Sequence, residues 1–169
     1  MKSPDLGFTP KGLYIGGEWQ ESWNGKTFAT INPSNREKLG EAPEAGEKDV
    51  NLAVAAAKAA FREWSRVPIA ERASCLEALA RRIDDHAEEL ALMDAVDAGI
   101  AVSGMRGDMD WTAKTLRYFA GLITEIKGES SSQGSRHLNI TRRQPYGVVA
   151  KINPFNHPFR FCAEKAAAP

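Results

Sequence analysis

The sequence predicts an α/β chain: small β-hairpins, then a block of amphipathic helices, then the opening strand of a parallel sheet that is left incomplete. Three observations carry this. Alternating apolar residues flank Gly16-Gly17 and an Asn32-Pro33-Ser34-Asn35 turn near the start. Apolar residues then recur at 3.6-residue spacing from Val50 to Ile126. Finally "GVVAKIN" is a short, nearly continuous apolar run followed by "PFNHP" and a further helical pattern.

In the first part, Leu13 and Ile15 alternate before Gly16-Gly17, and Trp19 resumes the strand; Phe28 and Ile31 repeat the scheme ahead of the second turn. Trp19 and Trp23 read as core or rim packing, because an aromatic in a hairpin most often buries area. Asp49 is expected to cap a helix with Val50, Val54, Ala57, Phe61 and Trp64 on its buried face. Pro68 suits the first turn of a second helix with Ile69, Leu76, Leu79 and Ile83 inward. A third runs from Glu88 to Val96 toward a capping Gly99. The fourth carries Met105, Met109, Leu116, Phe119, Leu122 and Ile126 and ends at Gly128, its methionines at core spacing.

The composition then shifts. "GESSSQGSRH" is a Ser/Gly-rich connector, and "LNITRRQPYGVVAKIN" returns to strand character across a bend at Pro145. Arg142 and Arg143 point to opposite faces of a strand and read as a solvated edge or ion pair, while His86 and His137 are assigned no chemistry. Val148, Val149 and Ile152 suit a strand covered on both faces, and such sheets bind ligands beyond the carboxyl ends of their strands. "NPFNHP" occupies that place, with the N-terminus of the helix "FRFCAEKAAAP" available to an anion. A parallel strand needs a crossover and a partner, so the reading is the front piece of a longer protein.

The 169 residues suffice for one ordinary domain with a core, and 43% apolar content is that of soluble globular chains. Lys+Arg and Asp+Glu are both 22, so nothing global draws nucleic acid or an anionic membrane. No apolar run approaches a membrane span, and "MKSPDLGFTPKG" lacks a secretory h-region; a cytoplasmic location is expected. Cys75 and Cys162 have no CxxC or Cys/His spacing, so neither a disulfide framework nor a metal site is expected; both read as core thiols.

Several segments together resemble the NAD(P)-dependent aldehyde dehydrogenase superfamily. "LYIGGEWQES" is similar to its opening hairpin, and "KTFATINPSNREKLGEAPEAGEKDVNLAVAAAKAAFREW" to the segment that follows. "ELALMDAVDAG" is similar to the helix ending in Asp-x-Gly, and "RRQPYGVVAKINPFNHP" to the Pro-x-Gly-Val-Val…Pro-Trp-Asn-x-Pro stretch that opens the cofactor domain. The colinearity of these pieces over nearly the whole chain carries the likeness. It implies the N-terminal hairpin and helical part of an aldehyde dehydrogenase-like cofactor-binding region at 1–134, the strand and bend of an oligomerisation arm at 135–146, and the truncated start of a Rossmann-like dinucleotide-binding domain at 147–169.

In that family a cysteine thiolate attacks the aldehyde, hydride passes to the nicotinamide, and glutamate-activated water releases the acid. An amide donor placed where negative charge develops eases the first step. Asn156 matches the family's oxyanion-hole asparagine, and the prolines beside it restrict the backbone that carries the amide. Read without the likeness, an Asn between prolines is a turn residue. The resemblance further implies a catalytic support role for Lys165. It places Ile152, Asn153, Pro154, Phe155 and Asn156 along the cofactor, NAD or NADP, and His157 and Phe161 toward the aldehyde channel. Asn153, Phe155, His157 and Ile100 depart from the family's commoner Thr, Trp, apolar aromatic and Lys, which bears on the substrate subclass.

The family's catalytic cysteine, activating glutamate, phosphate-binding lysine and Gly-rich turn are expected beyond Pro169, and neither Cys75 nor Cys162 matches the nucleophile. The expectation is therefore the N-terminal portion of an oxidoreductase converting an aldehyde to an acid, inactive alone, whose full-length form is a homo-oligomer. Two alternatives stand beside it: an assembly module pairing with full-length subunits through a hairpin edge, and an unrelated helical domain with a β-rich start.

Overall fold

A computed structural model describes residues 12–167, so all but Gly12 of the N-terminal stretch read for a secretory signal, and the chain end at Pro169, lie outside the described residues. The first hairpin forms where the glycines direct it. Strand β1 (Leu13–Ile15) pairs antiparallel with β2 (Glu18–Gln20), Tyr14 opposite Trp19. Gly16 and Gly17 take φ of 65° and 92°, the pair of positive angles whose twist matches the strands. Both tryptophans prove to be rim residues: Trp19 lies 5.0 Å from the Tyr14 ring, and Lys48 Nζ stands 3.9 Å above Trp23. Strands β3 (Thr27–Ile31) and β4 (Lys38–Pro43) form a second hairpin. Its turn is tied by side-chain amides, the Asn32 and Asn35 oxygens accepting from the backbone of Ser34 and Glu37 at 2.9 and 3.0 Å.

Helix α1 (Glu47–Trp64) begins after Gly46, two residues before the expected cap. Asp49 instead sits in the first turn and reaches back, its carboxylate accepting the N–H of Gly46 and of Trp23, each at 2.8 Å. The face expected to be buried is largely open, with Val50 56% exposed and Trp64 also exposed; Asp49 alone of its residues is buried. No described element covers that stripe beyond a light contact with β1.

The core lies among the later helices. Helix α2 (Ile69–Asp85) follows Pro68, and α3 (Ala87–Ala98) ends at Gly99 in the left-handed region, φ 69°, as its sequence position predicts. Helix α4 (Val102–Leu122) runs into a 3-10 turn through Glu125, short of Gly128. Met105, Met109, Ala113 and Leu116 form its buried stripe, packed on Ala80 and Ile83 of α2 and Ala91 of α3. On α2, Leu76 faces this cluster while Ile69 and Leu79 are exposed, because alanine at position 80 rather than leucine at 79 faces the close approach of α4.

The Ser/Gly-rich connector holds a strand that composition hid. Ser130–Ser132 (β5) pairs with Leu138–Ile140 (β6), so residues 134 and 135, where the sequence suggested a division, lie in the turn of one hairpin. Residues 147–153, expected as a strand, form no ladder among the described residues, since no parallel neighbour lies beside them. Ile152 is 99% exposed. Helix α5 (Pro158–Ala167) then folds back on α4 and α3 through Phe159, Ala163 and Ala167. Those positions, four apart, set its buried face, so Cys162 falls outside it and is exposed; Cys75, beside Leu76 on α2, is exposed too. Neither is the core thiol expected.

Candidate functional site

Asn156 occupies the turn immediately before α5, with Pro154 two residues behind it and Pro158 as the first helical residue. Proline is at home there, since its missing N–H has no acceptor in the first turn and its φ suits helix. The Asn156 side chain is half-buried, and among the described residues its carboxamide makes no hydrogen bond. Ile152, Asn153, Pro154 and Phe155 form the exposed lead-in to this turn, with Phe155 86% exposed. Lys165 is exposed near the far end of α5. It stands close enough to Lys151 that, after burial, its positive charge is the second influence lowering the Lys151 pKa.

His157 and Phe161 are one helical turn apart, and their rings meet edge-on at 5.6 Å. What holds them is a set of groups that sequence reading missed. Asp108 of α4 is 6% exposed; one carboxylate oxygen contacts His157 Nδ1, and the other accepts from Arg160 Nη1 at 3.1 Å. Arg160 also donates through Nε to Glu164 at 3.1 Å and lies over the Trp111 ring at 5.4 Å. Burial works against the Arg160 charge, yet the bonds to Asp108 and Glu164 prevail and its pKa is raised. Asp94 of α3, 7% exposed, accepts the Phe159 N–H at 3.2 Å. The helix N-terminus expected to receive an external anion therefore already meets a carboxylate of the chain itself.

Burial, foremost, pushes the Asp94 carboxyl up to about 6; the Phe159 N–H opposes this, and the charges of Asp97 and Asp108 add to it. A signal for both acids exists in the sequence. Asp94 follows Leu90 and Ala91 at helical spacing, and Asp108 lies beside Met109 and three residues after Met105, so each is a carboxylate on an otherwise apolar stripe. Among the described residues no group of three or more His, Cys, Asp or Glu is arranged to hold a metal, and no helix is long and apolar enough to cross a membrane.

A sequence model described as "Aldehyde dehydrogenase family" matches residues 19–169. An aldehyde dehydrogenase of Aspergillus niger is 41% identical over 157 residues, covering 92% of this chain and 32% of the relative. Aminoaldehyde dehydrogenase 2 of Zea mays is 37% identical over 166 residues, covering 93% and 33%. Among solved structures, the NAD+ complex of aldehyde dehydrogenase from Bacillus cereus superposes with a TM-score of 0.90 at 37% identity, over 96% of this chain and 34% of that one. The chain thus spans about a third of the length of the relatives it matches.

Proposed function

Because this chain belongs to the aldehyde dehydrogenase family, we propose that it supplies the oxyanion donor and part of the cofactor surface to an enzyme that oxidises an aldehyde to a carboxylic acid with NAD or NADP. The observation that carries the reading is the carboxamide of Asn156, which makes no hydrogen bond among the described residues and is carried on a turn bounded by prolines and anchored by the helix behind it. An amide N–H whose donor capacity is not spent within the described residues is free to meet an oxygen that gains negative charge during reaction. Because the turn is held beforehand, little reorganisation is needed when that charge appears.

The exposed lead-in fits a cofactor by its chemistry. Ile152 and Phe155 present apolar surface directly before the amide, and Asn153 offers a polar group between them. These residues, with Pro154, would hold NAD(P)+, which accepts a hydride when bound. Lys165, beside Lys151, adds positive charge on the exposed side of α5, consistent with its proposed support role. His157 and Phe161 would shape the approach of the aldehyde, with His157 held by Asp108 and its ring against Phe161.

The 169-residue chain by itself is expected to form no NAD(P)H from aldehyde above a blank, because neither Cys75 nor Cys162 matches the family's nucleophile. In a complete subunit carrying these residues, Asn156→Ala should lower turnover roughly 10²–10³-fold while cofactor affinity changes little. Rapid-mixing measurement of the acylation rate checks this; an unchanged rate would remove Asn156 from the reaction.

A further inference from the structure

We propose that Asp108 is a positioning residue for the oxyanion donor: from α4 its carboxylate grips the first turn of α5 on two sides and thereby sets where the Asn156 amide stands. The inference rests on the role given to Asn156 above. That side chain makes no hydrogen bond among the described residues, so its place is determined by its backbone. Residues 147–155 upstream form no ladder that would fix it. Constraint therefore comes from downstream, where His157, Phe159 and Arg160 are each tied to a carboxylate of the helical layer.

Asp108 makes two of these three ties. One oxygen meets His157, adjacent to Asn156, and the other accepts from Arg160 at 3.1 Å. The carboxylate is almost wholly removed from water and its helix is held by the buried methionines at 105 and 109. Its backbone oxygen accepts from Thr112 Oγ1 at 2.7 Å. Arg160 is held from the other side by Glu164 and lies over Trp111, so the guanidinium is a fixed post. Asp94 adds the Phe159 N–H as a third point. A carboxylate at position 108 accepts from Arg160 and meets His157 Nδ1; an amide there keeps one acceptor for Arg160 but loses the negative charge, and its NH2 suits His157 only when that ring presents Nδ1 as an acceptor.

The test is a double-mutant cycle on acylation in a complete aldehyde dehydrogenase subunit carrying these residues, at saturating NAD+. Asp108→Asn should slow acylation on the order of 10- to 100-fold, the cost of a displaced reacting group, with the dissociation constant for NAD+ unchanged. In an Asn156→Ala background and at saturating aldehyde the same substitution should slow acylation no further, because that effect passes through the amide, while any change in aldehyde approach through His157 is read separately as a change in KM. Losses that multiply would overturn the proposal, since independent sites add in free energy. Should Asp108→Asn fail to fold, Arg160→Met removes one grip and enters the same cycle, with a smaller loss that must likewise vanish beside Asn156→Ala. If Asn156→Ala alone leaves acylation unchanged, the donor role itself fails, an outcome distinct from multiplying losses.

Discussion

Helices α1 and α4 are of similar length, 18 and 21 residues, and both show apolar residues at helical spacing, yet α4 buries seven of its residues and α1 one. The difference lies in what surrounds them. Helix α4 is covered by α2, α3 and α5, whereas among the described elements α1 meets little more than β1. Periodicity gives a helix a face; topology decides whether that face is used. The one buried anchor of α1, Asp49, is polar and acts through the N–H groups of Gly46 and Trp23 rather than through area.

Truncation separates the two helices most widely. Leu116→Ala removes a fully buried side chain from α4 and should lower stability by about 2–5 kcal/mol, whereas Val50→Ala on α1 should stay within about 0.5 kcal/mol. Urea denaturation of the 169-residue chain reads both; equal losses would show that α1 is packed in solution.

The second effect is a pH dependence belonging to the packed layer alone. Asp94 has a folded pKa of about 6, above its ordinary 3.8, so the fold favours the protonated acid. Its contribution is complete below about pH 3.8 and is lost as pH rises through 6, leaving the ionised form at a disadvantage on the order of 2 kcal/mol. Asp94→Asn keeps an acceptor for Phe159 without that charge. Relative to the parent chain it should therefore gain stability between pH 4 and pH 7, whereas a constant difference across that range would contradict the assignment.

A smaller effect tests the joint between hairpin and helical layer. Gly99 is left-handed, and a Cβ there would lie 2.5 Å from Cγ of Pro33. Gly99→Ala should cost about 1–2 kcal/mol through backbone strain and displacement of the β3–β4 turn, measurable as a lowered thermal midpoint.

What the sequence discloses and what it hides divide along range of contact. Gly16-Gly17, Gly99 and the Met105–Met109–Leu116 stripe act on their own neighbourhoods, and their consequences are readable from adjacent residues. The turn at Asn156 ahead of a helix is legible in the same way, whereas its proposed chemistry entered only through family likeness. Asp94 and Asp108 meet partners 65, 49 and 52 positions away, a pairing that neither spacing nor propensity announces. Strand β5 is three serines, whose pairing comes from Leu138–Ile140 opposite and not from their own preference. Cys75 and Cys162 read as core thiols yet are exposed, because burial depends on which residues of α2 and α5 the neighbouring helices select.

The grip of Asp108 on His157 and Arg160 closes a loop that contains the β5–β6 hairpin. Closure entropy grows only with the logarithm of loop length, so doubling that span would cost about 0.6 kcal/mol. The intervening β5–β6 segment is consequently tolerant of insertion: it can lengthen or shorten while α5 stays docked at nearly constant free energy. Evolutionary change in that segment is thereby uncoupled from the turn that bears Asn156, and one can be remodelled without retuning the other.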